Sequence, residues 1–148
     1  MIDIVKSLKE RFDIRNIEQV ASAENIDLIS IELPNAIKGM YYAQEGFEVI
    51  ALNCDLSDTE KIETFWHEYY HYLLSVGNFV ATKFCLDSIK TFANRDENRA
   101  EEFVALLMID TIDEEDTPSS ISDRCCVSEK LAELRLCMES KLNSREFN

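Results

Sequence analysis

The sequence predicts an α+β protein, with a small, mostly antiparallel three-stranded sheet packed on a bundle of helices. Three observations predict it. Apolar residues recur every three to four positions in the first dozen residues and again through the second half of the chain. Between positions 26 and 52 the period shortens to two, in short runs separated by Pro34 and Gly46. The length of 148 residues suits one domain, so a single domain over 1–148 is expected, with a C-terminal helical segment from about 121.

The elements follow in order. Ile2, Val5, Leu8 and Phe12 lie at helical spacing with charges between them. Asn16 is a candidate N-cap for a second short helix reaching about Glu24. Asp27 to Leu33 alternates and ends at Pro34, which reads as a strand. Gly39–Ala43 and Phe47–Leu52 are two further strands, joined by a hairpin turn at Gln44-Glu45-Gly46. Ser57-Asp58-Thr59-Glu60 is a capping box, since Ser57 can accept from the Glu60 amide while Glu60 reaches back to the Ser57 amide. It starts a helix at 58 that continues to about Ser75 and closes at Gly77. Residues 79–92 are ambiguous and helical in part. Another helix is expected from near Arg95 to Ile109, with Ala100, Phe103, Val104 and Leu107 on its apolar face. Asp113–Asp116 and then Thr117-Pro118-Ser119-Ser120 read as a loop. Ser128 caps a final helix whose stripe of Leu131, Leu134, Met138 and Leu142 reads as core packing.

Composition removes several functions. A hydrophobic fraction of 46% with three glycines and two prolines is globular rather than disordered. Fifteen Lys and Arg stand against twenty-nine Asp and Glu, a net charge of −14. Such a chain lacks the basic footprint that neutralises phosphates, so direct nucleic-acid binding is not expected, nor is attachment to an anionic membrane. No run approaches the roughly 18 apolar residues of a membrane span, and Met1–Asp13 has no signal-peptide core. A cytoplasmic protein is expected. The five cysteines are odd in number and form no CxxC pair, so reduced, buried thiols fit better than a disulfide framework.

The chain owns two histidines, and both fall in His67-Glu68-Tyr69-Tyr70-His71, an HExxH motif. Residues four apart share one helical face, so two imidazoles there can reach one Zn²⁺ at roughly 2.0–2.1 Å. Glu68, beside the first ligand, can hold and deprotonate a water instead of binding the metal. The capping box independently puts the motif in mid-helix. A catalytic zinc needs a third protein ligand and one open position. No histidine remains, so the third ligand is a carboxylate or a thiolate. The candidates lie in Asp96–Glu102, where Glu97 and Glu101 stand one turn apart on a face shared with Ala100 and Val104. A small Ala100 lets this helix approach the first closely.

From about residue 26 to 138 the sequence resembles the ImmA/IrrE-type zinc metallopeptidases, gluzincins common in phages, mobile elements and bacteria. The resemblance rests on Lys38-Gly39-Met40-Tyr41, Ile50-Ala51-Leu52-Asn53 leading to Leu56-Ser57, Thr64 three residues before the motif, and Glu97-x-x-Ala100-x-x-Phe103-Val104 followed by Leu106-Leu107-Met108. Val127-Ser128 through Leu136 is similar to the family's C-terminal helix. It implies a zincin-like fold and makes Glu97 the third ligand, with Glu101 as the fallback. Three positions depart from the family's pattern. Tyr70 replaces a residue that is usually small, Ile109-Asp110 replaces a proline, and Val104 replaces Ala.

The expected activity is zinc-dependent hydrolysis of a specific protein, which the resemblance implies is often a helix-turn-helix repressor of a mobile element. Glu68 serves as general base. Tyr70 and Tyr41 are the candidates for donating to the developing oxyanion. The strand near 39–43 can hold an extended substrate by strand addition. A different expectation is a non-catalytic zinc-binding module that docks to a transcriptional regulator.

Overall fold

The structure, a computed structural model, describes residues 1–77 and 89–146. Its elements are α1 (Ile2–Arg11), α2 (Ile17–Ala23), β1 (Ile26–Ile31), β2 (Gly39–Gln44), β3 (Phe47–Asn53), α3 (Asp58–Gly77), α4 (Ile89–Met108), α5 (Pro118–Cys125) and α6 (Glu129–Glu146). None of these helices is long and apolar enough to cross a membrane. The fold class is α+β, as the two periodicities require.

The sheet is mixed, which corrects the mostly antiparallel expectation. Its strand order is β1-β3-β2. β2 and β3 form an antiparallel hairpin closed by Glu45 and Gly46, both at positive φ, a pairing typical of type I′ turns. β1 runs parallel to β3, with Leu28 opposite Ile50 and Ile29 opposite Ala51. The physical reason is that β3 is the most buried strand, with Ile50, Ala51 and Leu52 all in the core. It therefore takes the centre, and the connection after β1 carries the chain across to its far side. Alternating side chains look alike in parallel and antiparallel pairs, so the sequence pattern held no signal for direction. Asn53 ties the crossover down: its Nδ2 donates to Leu33 O and Ile37 O, each at 3.1 Å.

α3 begins as its capping box dictates. Ser57 N–H donates to Glu60 at 3.0 Å, and Glu60 N–H donates to Ser57 Oγ at 3.2 Å. One side of this helix is aromatic: Phe65, Trp66 and Tyr69 are buried and stack on one another with ring centroids 5.1–6.0 Å apart. Trp66 Nε1 donates to Ile14 O at 2.7 Å, which fastens α3 to the α1–α2 link. The other side carries Glu60, Thr64, His67 and His71, spaced by three or four residues.

Four further expectations are refined. The ambiguous stretch 79–92 falls largely outside the described residues, and α4 starts at Ile89, before Arg95. Pro118–Ser120 is not loop but the start of α5, because Thr117 and Ser120 make a reciprocal capping box with Pro118 in the first turn. Ser128 does cap α6, accepting from Leu131 N–H at 3.3 Å, but Leu142 at the end of the apolar stripe is 54% exposed. The described thiols are free, as expected, yet Cys54, Cys126 and Cys137 are exposed and Cys125 is half-buried. They lie in a turn, a helix end and the outer side of α6, where no core is available to cover them.

β2 approaches α3 closely at Gly39. A Cβ there would meet Thr64 Cγ2 at 2.6 Å and Ala51 O at 2.9 Å. Gly39→Ala is expected to destabilise the protein by about 1–3 kcal/mol, because backbone or the short Thr64 side chain must shift. Urea unfolding measures it, and an unchanged midpoint would refute the close approach.

Candidate metal centre

α3 and α4 pack side by side, with Tyr70 against Phe103 at 5.4 Å between centroids and Ala100 fully buried. This contact sets Glu97 of α4 opposite the two histidines of α3. His67 Nε2 lies 2.9 Å from Glu97 Oε2, His71 Nε2 lies 2.9 Å from Glu97 Oε1, and the two Nε2 atoms are 3.3 Å apart. Among the described residues these three form a group whose candidate ligand atoms all lie within 4.8 Å of one another.

The arrangement fits a metal ion. Nitrogen and oxygen ligands at roughly 2.0–2.1 Å in tetrahedral geometry stand about 3.3 Å from one another. The imidazole nitrogens already have that spacing. Neither is turned toward a buried acceptor of its own; both aim at the point where the Glu97 carboxylate also arrives. The imidazoles are about one-fifth exposed and Glu97 is 55% exposed, so the site opens to solvent on one side. A closed structural metal site would have a fourth side-chain ligand there.

Glu68 stands next to the cluster without joining it. Burial pushes its carboxyl above the usual range, and the neighbouring Glu97 adds to that. The two imidazoles and, more weakly, the nearby backbone N–H of Tyr41 act in the opposite direction. A carboxylate held between these influences is suited to taking up and returning a proton. The Tyr41 amide was invisible to sequence reasoning, because main-chain donors carry no residue signature.

The remaining candidates sit elsewhere. Glu101, one turn beyond Glu97, pairs with Lys130 at 3.3 Å and stays outside the cluster. The Tyr41 hydroxyl donates to Glu48, and its ring packs edge-on against Tyr72. The Tyr70 ring packs on Phe103 of α4 and edge-on against His71, and burial pushes its hydroxyl up. Neither tyrosine lines the cavity beside the cluster. That cavity has a volume of about 520 Å³ and runs from His67 along α3 toward the start of α6.

Sequence reasoning also missed Glu63. It stands one turn before His67, and its carboxylate accepts from Ser128 N–H at 2.6 Å and Ser128 Oγ–H at 2.9 Å. The capping signal of Ser128 was legible, but its partner 65 residues earlier was not.

Residues 21–136 match the Peptidase_M78 family, described as the IrrE N-terminal-like domain. No curated protein and no solved structure matches the chain.

Two outcomes follow from the geometry. Protein freed of metal and dialysed against Zn²⁺ should retain one equivalent by elemental analysis, and His71→Ala or Glu97→Ala should lose it. Retention by both variants would refute the ligand set. Separately, burial and the bond to Glu48 push the Tyr41 hydroxyl up to about 12. An unfolded tyrosine ionises near pH 10. Between about pH 10 and 12 the native state therefore holds a proton that the unfolded state has lost, so stability falls as pH rises. Tyr41→Phe should make that decline shallower in denaturant titrations. An identical slope would contradict the buried, bonded hydroxyl.

Proposed function

The chain belongs to the Peptidase_M78 family, and on that premise we propose that it is a zinc-dependent endopeptidase cutting a specific protein. The observation that carries the reading is the convergence of His67, His71 and Glu97, with Glu68 beside them, at one end of an open cavity. His67, His71 and Glu97 hold the ion. When bound, Zn²⁺ supplies Lewis-acid chemistry, polarising the scissile carbonyl and making water a competent nucleophile at neutral pH. Glu68 orients the attacking water, accepts its proton and delivers that proton to the leaving amine. Among the described residues β2 has no strand partner on its outer edge, so an extended segment of substrate can add there and lie across the site.

The substrate we favour is a helix-turn-helix repressor of a phage or mobile element. That choice rests on the family resemblance and on charge, since a DNA-binding protein is basic and this chain carries −14. The protein works on its target in the cytoplasm.

Glu68→Gln separates hydrolysis from docking. The variant should lose about 10²–10⁴-fold in cleavage rate while keeping its fold and one equivalent of zinc. Undiminished cleavage would refute Glu68 as the base. A variant that cuts nothing yet keeps full biological activity would favour the docking module.

A further inference from the structure

The cavity beside the metal cluster has a chemical character of its own. One wall is apolar, formed by Ile37 before β2, Val104 of α4, and Leu131 and Leu134 of α6. Besides Glu68, three carboxylates outside the metal group also reach it: Glu60, Glu63 and Glu101. Two of them have a cation. Glu60 pairs with Lys38 at 3.5 Å and Glu101 with Lys130 at 3.3 Å. Glu63 has none among the described residues. Among the described residues its partners are the neutral donors of Ser128.

An ionised carboxylate offers about four acceptor positions, and Ser128 uses two. Glu63 therefore keeps free acceptor positions while Ser128 holds its carboxylate in place. It sits one helical turn from His67, inside a half-apolar cavity large enough for a long side chain. Desolvation beside that wall strengthens a charge-assisted bond relative to one in open water. A group that matches has an aliphatic stem of several carbons and a cationic end.

We propose that this cavity is the specificity pocket of the site and takes an arginine or lysine side chain of the substrate. The stem lies on Leu131, Leu134 and Val104, and the cation binds Glu63. Ser128 positions Glu63 and, as the residue that caps α6, sets the distance between that carboxylate and the apolar wall. The inference rests on the peptidase reading for the identity of the substrate as a polypeptide.

The test uses the full chain, zinc-loaded and carrying Glu68→Gln so that bound peptide stays intact. Fluorescence anisotropy measures a set of labelled peptides in which each position in turn is Arg, Lys, Leu or Glu. At one position Arg and Lys should bind about tenfold or more tightly than Leu, and Glu more weakly still. Adding Glu63→Gln should reduce that preference to within about twofold with zinc stoichiometry unchanged. Raising the salt concentration should erode the preference in the protein that retains Glu63, a readout needing no second variant. Equal binding of the Arg, Lys and Leu peptides at every position would overturn the proposal, as would a preference that survives Glu63→Gln. Cleavage by the unsubstituted protein is scored in parallel. A basic preference in binding with no cleavage would overturn the hydrolytic reading and support the pocket.

Discussion

Everything at the site depends on how closely α3 and α4 approach. Two histidines on one helix supply two ligands and no more, and the third has to come from another element. Tyr70 packs on Phe103 where the helices meet, and Ala100, three residues beyond Glu97, is fully buried. There Glu97 brings both carboxylate oxygens to 2.9 Å from the imidazole nitrogens. The two imidazole nitrogens stand 3.3 Å apart and face the same carboxylate, a spacing that a shared cation fits.

α3 can meet that demand because its two sides are chemically different. Phe65, Trp66 and Tyr69 anchor it in the core, and the Trp66–Ile14 bond fixes its rotation. Rotation in turn decides where His67 and His71 point. The sheet contributes less area and more placement. Asn53 pins the segment before β2, and Gly39 lets β2 lie close to Thr64. On the opposite flank the Glu63–Ser128 contact docks α6, which gives the cavity its apolar wall.

Much of this was legible in the sequence where the cause is local. The capping box at Ser57 and Glu60 placed the start of α3, and the spacing of His67 and His71 placed both on one face. The hairpin was legible from Glu45-Gly46. Causes spread across the chain were not. The parallel pairing of β1 with β3 depends on which strand is buried most deeply, and alternation does not encode it. Glu63 and Ser128 each look ordinary alone. The choice between Glu97 and Glu101 rested on family resemblance, because helical spacing allows both. The start of α5 is different: Thr117, Pro118 and Ser120 carry a local capping signal, but each residue also favours turns, so the same run reads as a loop.

The central claim is that His67, His71 and Glu97 share one ion at an open site. Anomalous scattering at the zinc edge from crystals of the zinc-loaded protein tests it most directly. A single strong peak within bonding distance of both Nε2 atoms and the Glu97 carboxylate, with no fourth side chain, is the predicted result. A peak coordinated by Glu101 in place of Glu97, a fourth protein ligand closing the site, or no peak between the histidines would contradict it.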